Sequence, residues 1–450
     1  MEPTQDHRTE HHRGRQRITI GMAAVATAPG IALSFSNVAL AHPVEAFAFG
    51  LAIVGAAFIL SWAAEVAQLD ISAGLAIAVL ALIAVLPEYA VDFVFAWQGG
   101  NAFESTGPAC LPSGGGNESP CSLALANMTG ANRLLIGIGW SMVVFIAWYR
   151  VRSRDGAPAA RRWEGVRLGR EHSIELSYLA VATLYSLTLP LKHSVTPFDA
   201  VVLVTIFVLY TIRVSGSPSE DPHLIGPAGY LGTFPARPRR AAVVSMFLFA
   251  AGAIVLCAEP FAHALVETGA DVGISEFLLV QWLAPLASEA PELLIAGLFA
   301  WRLNTDTGLG TLVSSKVNQW TLLVGTLPVV FAIASGGLHG LPIEARQREE
   351  LFLTAAQSFF AVAVVANLSM SVREAWLLFG LFWAQFVVGA LVPESLHAAE
   401  LIGVGVVYLA MGLRILLGDR RRLIRLFRDG FMTPHADLSR SADGSEDGHR

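Results

Sequence analysis

Lysine is almost missing from this chain of 450 residues: Lys192 and Lys316 are the two, so 28 of its 30 basic residues are arginines. Charge of either sign is scarce, at 15% Asp, Glu, Lys and Arg against roughly 25% in soluble domains. Three cysteines are too few for a disulfide scaffold, and no CxxC or Cys/His spacing offers a zinc site. No HExxH, no Asp-rich diphosphate motif and no Gly-rich phosphate loop is present, which removes the commonest signatures of a metalloprotease or a phosphate-handling enzyme. A hydrophobic content of 54% excludes disorder. A net charge of −6, with the arginines set between apolar blocks, excludes a DNA-binding protein.

What the chain has is long apolar blocks, at about 18–41, 45–68, 71–98, 122–149, 174–191, 198–212, 241–266, 275–301, 310–335, 351–371, 374–392 and 401–417. Backbone polar groups in lipid are satisfied within a helix or a closed barrel, and no period-two alternation supports a barrel. The sequence therefore predicts an all-α polytopic membrane protein with about 12 (11 to 12) transmembrane helices. The range is two-valued because Arg17, the apolar run after it and Ala-Leu-Ala at 39–41 fit either an extra helix or a cleaved signal peptide.

The arginines orient the chain. Four precede the first block (Arg8, Arg13, Arg15 and Arg17), seven lie between Arg150 and Arg170, four lie in 213–240, and five lie between Arg420 and Arg428. The positive-inside bias places these segments, and both termini, on the cytoplasmic side of a plasma or inner membrane. Segment 99–121 has no Lys or Arg and falls outside; Arg346 and Arg348 also fall outside, against the bias. Cys110 and Cys121 share that outer loop, where a disulfide and two free thiols both remain open.

An internal repeat carries the functional argument. Residues 87–97 read PEYAVDFVFAW and 291–301 read PELLIAGLFAW, with Pro, Glu, Phe, Ala and Trp at identical spacing, five of eleven positions. Downstream, Asn132, Gly139 and Val143-Val144-Phe145 recur as Asn318, Gly325 and Val329-Val330-Phe331 at a constant offset of 186. The copies are five helices apart, so they cross the membrane in opposite directions. Inverted repeats of this kind are typical of secondary transporters.

The repeated acids, Glu88 and Glu292, lie inside apolar blocks, where an ionised carboxylate is costly unless it faces a cavity or a cation. Each follows a proline, which frees a carbonyl and is expected to break its helix locally. Carboxylate and carbonyl oxygens suit a hard cation such as Na+ or Ca2+. The second helix of each hairpin adds neutral oxygens: Asn127-Met-Thr-Gly-Ala-Asn132 in one copy, and Ser314, Ser315 and Asn318 around Lys316 in the other. Small residues here also permit close helix packing. Asp92 shares a face with Glu88 and has Ala296 as its counterpart. Glu65, Glu259, His263 and Gln385 read first as packing or interhelical polar groups.

The two Pro-Glu hairpins resemble the alpha repeats of the sodium/calcium exchanger family, within the cation/Ca2+ antiporter superfamily. Leu86-Pro87-Glu88 with Gly130-Ala131-Asn132 matches the first repeat, and Ala290-Pro291-Glu292 with Ser314-Ser315-Lys316 approximates the second. The resemblance implies two inverted-topology five-helix repeats, no cofactor, and inorganic cations and the bilayer as partners, with no nucleic acid. By resemblance Glu88 and Glu292 are the central cation-binding acids, supported by Asn132 and Ser288. The family's Gly-Thr-Ser before Leu-Pro-Glu is here Ile83-Ala84-Val85 and Ala287-Ser288-Glu289, so an additional acid, Glu289, enters. Lys316 stands where the family has Asn or Asp, and tunes the charge if it faces the site; otherwise Asn318 is the ligand.

The chain then divides into a tail 1–17, a helix or signal-like segment 18–41, a first repeat 45–212 with its hairpin at 71–149, a linker 213–240, a second repeat 241–392 with its hairpin at 275–335, a last helix 401–417 and a tail 418–450. The expected function is antiport of Ca2+ or another cation against Na+ or H+ by alternating access. Na+/H+ antiport on the same fold is the rival, and an intramembrane enzyme using paired carboxylates is the reading from another class.

Overall fold

Helices account for nearly every apolar block. The computed structural model describes residues 4–36, 38, 40–70, 86–111, 118–216, 224–273 and 275–438. Ile71-Ser72, Ile83-Ala84-Val85 and the start of the first hairpin lie outside the described residues. Among those described, ten helical stretches are long and apolar enough to cross a membrane. The expected block 71–98 begins outside the described residues. The block 351–371 forms a helix at Ala345–Val365 whose first two turns carry Arg346, Arg348, Glu349 and Glu350, which lowers its apolarity.

The chain forms two units, residues 1–94 with 218–291 and residues 95–217 with 292–450. The first unit holds α1 (Thr4–Phe35), α2 (His42–Ala67), α8 (Gly226–Gly232) and α9 (Ala236–Val272). The first helix starts at Thr4, ahead of Arg17, so the polar tail and the first apolar block make one rod. Small residues let α1 and α2 touch: a Cβ on Gly55 would lie 2.5 Å from the Ala23 carbonyl oxygen, and one on Gly30 would lie 2.6 Å from the Ala52 Cβ. Ala56, Leu60 and Ala63 of α2 then pack with Ala253 and Ile254 of α9 and Leu231 of α8. At the end of α2, Asp70 accepts from Arg239 Nε and Nη2 at 2.8 and 2.9 Å and from Arg240 Nε at 2.9 Å. The Arg239 guanidinium, with Arg240 behind it, holds the Asp70 carboxyl down to about 2 against its ordinary 3.8.

Two helices, α3 (Leu86–Thr106) and α10 (Glu276–Trp301), begin in the first unit and end in the second. The second unit continues with α4 (Pro120–Leu134), α5 (Ser141–Arg162), α6 (Ser173–Ser186), α7 (Pro197–Ser215), α11 (Thr305–Asn318), α12 (Val324–Ala334), α13 (Ala345–Val365), α14 (Val372–Leu391), α15 (His397–Gly418) and α16 (Arg420–Phe431). Local chemistry sets several starts. Thr196 with Asp199 and Ser371 with Glu374 form reciprocal capping boxes at α7 and α14. Asp199 also takes the Lys192 ammonium and the Tyr185 hydroxyl, the latter at 2.6 Å. Two short antiparallel ribbons tie loops together: β1 (Val166–Arg167) to β4 (Ser369–Met370), and β2 (Ser194–Val195) to β3 (Leu341–Pro342). Cys110 and Cys121 are bonded to each other, their Cα atoms 6.1 Å apart. Arg346, off the charge pattern, faces Glu118 at 3.7 Å.

Candidate cation site

Each hairpin has one element that the apolar pattern does not announce. The second helix of the first copy, α4, passes into a π-helical turn at Leu135–Trp140 before continuing as α5. The second helix of the other copy, α11, passes into a π-helical turn at Gln319–Leu323 before α12. The turns begin within three residues of Asn132 and directly after Asn318, the two asparagines matched by the repeat. Single π turns inside α-helices concentrate at functional sites. The repeated glycines, Gly139 inside the first turn and Gly325 just after the second, allow close approach: a Cβ on Gly139 would meet Leu293 at 2.9 Å, and one on Gly325 would meet Leu203 and Val204 at 3.2 Å.

On α3, Glu88 lies in the first turn and Asp92 one turn later, with exposures of 3% and 1%. Pro87 sits at the start of the described helix, so it interrupts nothing within it. On α10 the break expected at Pro291 does not occur: the helix runs unbroken through Pro285 and Pro291. The proline still lacks an N–H, so the ladder loses a bond without the helix losing its path. Ser288 and Glu292 are one turn apart on this helix, with Glu289 beside Ser288 and fully buried. The Ser288 hydroxyl donates to the Ala284 and Pro285 carbonyls at 3.3 and 3.2 Å, back onto its own helix.

Within the second unit the acid, a hydroxyl, an amide and the lysine form a chain of contacts. Ser315 on α11 donates its hydroxyl to Glu292 Oε2 at 2.6 Å. Lys316, next in sequence, is fully buried. Its ammonium donates to the Asn132 side-chain oxygen at 2.6 Å and to the Asn132 carbonyl at 2.5 Å, and lies 5.4 Å from the centre of the Trp320 ring. Asn132 in turn donates its amide to the Met128 carbonyl at 2.9 Å. The lysine thus does not reach for a helix end. Ser314 is turned elsewhere, beside the Tyr210 hydroxyl of α7. Asn127 is buried on α4, a turn and a half before Asn132. The Asn318 side-chain oxygen is buried and has no hydrogen-bond partner among the described residues.

One buried pair was not singled out in the sequence. Arg133 donates to Glu350 of α13 at 2.5 Å and to the Gln385 side-chain oxygen of α14, with Gln357 reaching the Arg133 carbonyl at 3.5 Å. Arg133 is the lone charge in block 122–149, which was the available signal. Arg133 thereby brings a positive charge beside the carboxylate of Glu350. Glu65 and Glu259, matched in sequence by their neighbours, differ in setting, since Glu65 is half-buried and Glu259 exposed.

Chemically, the Glu292 carboxylate and the Ser315 hydroxyl that bonds to it are oxygen donors of the type that hard cations prefer. At the starts of two apolar stretches, Glu171, His172 and Asp306 also bring their ligand atoms within 4.8 Å of one another, although Asp306 already accepts from the Gly169 N–H at 2.8 Å.

The family model for sodium/calcium exchanger protein matches residues 44–216 and 242–391, which include both hairpins. Among solved structures, the H+/Ca2+ exchanger CAX is 38% identical, with a TM-score of 0.82 over 96% of this chain and 99% of that one. Native YfkE is 12% identical with a TM-score of 0.54 over 88% of this chain and 99% of that one, a likeness of fold. No curated relative matches in sequence. With the hairpins, the apolar helices and these matches together, the chain belongs to the sodium/calcium exchanger family and is a multi-pass membrane transporter, a cation antiporter rather than an enzyme.

Proposed function

We propose that the protein exchanges Ca2+ for protons, with Glu88 and Glu292 as the acids that bind the transported ion. The observation that carries this is the half-buried Glu292–Ser315 pair on a hairpin that the sequence repeats around Glu88. Asn132, Asn127, Ser288, Glu289, Ser314, Ser315 and Asn318 are the supporting polar groups, and Lys316 tunes their charge. Among the acids proposed to bind the ion, Glu88, Glu289 and Glu292 against Lys316 leave two formal negative charges, which one Ca2+ or two protons would neutralise equally. That equivalence is what a one-for-two exchange by alternating access requires. The 38% identity to an H+/Ca2+ exchanger supports protons as the counter-ion.

The test is counterflow in proteoliposomes holding the purified protein. An outward pH gradient should drive Ca2+ accumulation without Na+. Na+-driven Ca2+ uptake with no proton coupling, or Na+/H+ exchange indifferent to Ca2+, would replace this reading. We further propose a plasma or inner membrane location with both termini cytoplasmic, supported by the arginine clusters. A cysteine placed at Ser113 should then label from outside and one at Asp306 from inside.

A further inference from the structure

Two stretches of the second unit, distant in sequence, bring arginines to one open groove. Arg167 comes from β1, Arg170 from the turn before α6, and Arg422, Arg425 and Arg428 from α16. The groove has a volume of about 670 Å³ and its floor includes Asp429 and the loop before β4. Among the described residues, three carboxylates answer the five guanidinium groups. Asp429 accepts from Arg170 at 2.8 Å and from Arg428 at 3.3 Å, while Glu164 pairs with Arg167 and Asp419 with Arg422 on the exposed rim. Positive charge therefore remains in excess. Burial works against the Asp429 charge, but the hydrogen bonds from Arg170, Thr433 and Arg428 hold its carboxyl below the ordinary carboxylate range, so it stays ionised and fixes those side chains.

The groove is held rigidly on one side. Leu426 of α16 is buried at 3%, its carbonyl accepts the Ser177 hydroxyl of α6 at 3.0 Å, and Phe431 meets Tyr178 edge-on at 5.0 Å. A Cβ on Gly430 would lie 2.2 Å from the Ser177 oxygen, so the helix seats directly on α6. Arg213 of α7 adds a bond to the Gly430 carbonyl at 3.0 Å. The arginines on the other side of α16 are thus presented from a fixed platform.

We propose that this groove binds a phosphate group, either the headgroup of an anionic phospholipid or a soluble polyphosphate. Planar guanidinium groups pair with phosphate oxygens two at a time, which is why arginine rather than lysine suits such a site. Basic segments beside membrane helices take anionic headgroups in this manner. The assignment of the groove to the cytoplasmic leaflet rests on the orientation proposed above; phosphate binding does not.

Two probes separate the sources. Full-length protein in nanodiscs of phosphatidylcholine with one fifth phosphatidylglycerol is measured for retained anionic lipid by native mass spectrometry. The same protein in pure phosphatidylcholine nanodiscs is titrated with inorganic pyrophosphate by calorimetry. Binding of either probe that falls at least about tenfold in Arg422→Gln/Arg425→Gln supports the site and names its source. Arg420→Gln/Arg421→Gln removes the same charge from outside the groove and should bind as the native protein does. The proposal is overturned if neither probe binds, if the groove variant binds normally, or if both double variants lose binding equally. Unchanged Ca2+ flux in the groove variant separates its outcome from that of the transport assignment.

Discussion

The Lys316 ammonium rests 2.6 Å from the Asn132 side-chain oxygen, joining residues 184 positions apart in the two repeated hairpins. A cation of the chain's own thus occupies an oxygen that the family resemblance assigns to the transported ion. If the transported ion binds through Asn132 as proposed, its binding is coupled to the charge state or position of Lys316. Lys316→Gln should shift the pH dependence of exchange, or its preference between one divalent and several monovalent ions. Flux measured across pH with Ca2+ and Na+ checks this, and an unchanged profile with unchanged selectivity would reduce Lys316 to a packing role.

Glu88→Gln and Glu292→Gln keep shape and remove charge. Each should reduce exchange to the level of empty liposomes while the protein still elutes as a folded species. Normal turnover in either variant would remove that acid from the ion path.

Ser315→Ala deletes a hydroxyl donor to the Glu292 carboxylate. Hydrogen bonds to charged groups contribute about 1.5–3 kcal/mol, so apparent ion affinity should change by on the order of tenfold or more. Ser314→Ala, at a hydroxyl turned toward Tyr210, should leave that affinity within about twofold. Equal effects of the two would show that Ser315 acts through packing.

Arg133 and Glu350 are buried partners, so removing one strands the charge of the other. Arg133→Met should cost about 3–5 kcal/mol of stability, read as a lower thermal midpoint in detergent. Adding Glu350→Leu should restore part of that loss. A double variant as unstable as the two singles combined would mean that the pair does not act as a unit.

Asp70 supplies a pH-dependent contribution in the first unit. Its folded value of about 2 lies below the ordinary 3.8, so its pairing with Arg239 and Arg240 stabilises the fold above pH 4 and is lost as pH falls toward 2. Thermal midpoints of the native protein and Asp70→Asn should differ near neutral pH and converge through that window. A constant gap at all pH values would rule out the ionised carboxylate as the cause.

Much of this was legible in the sequence because lipid makes polar residues conspicuous. Pro87-Glu88 and Pro291-Glu292 stand out in apolar blocks, and their repetition identified the family before any contact was known. The capping boxes at Thr196 and Ser371 were not read from the sequence, although each is set by residues three positions apart. What stayed hidden depends on tertiary proximity. Nothing in one dimension pairs Lys316 with Asn132 or Arg133 with Glu350, and the arginines of the groove come from segments more than 250 residues apart. The unbroken α10 was missed because a proline removes one hydrogen bond, whereas a helix supported by neighbours tolerates that loss.

The two π turns have a geometric consequence for motion. A π turn is one residue longer than an α turn, so the helix beyond it is rotated by about 100° relative to an uninterrupted one. Shifting such a turn by one position exchanges one backbone bond for another and rotates only the segment it passes. The oxygens of Asn132 and Asn318 therefore lie next to the places in α4 and α11 where twisting demands least disruption. Deleting Ile136 or Leu322 should collapse the respective turn to plain α-helix. Such a deletion should stall reorientation while leaving ion binding at equilibrium detectable; undiminished flux would show that the extra residue is only a packing adjustment.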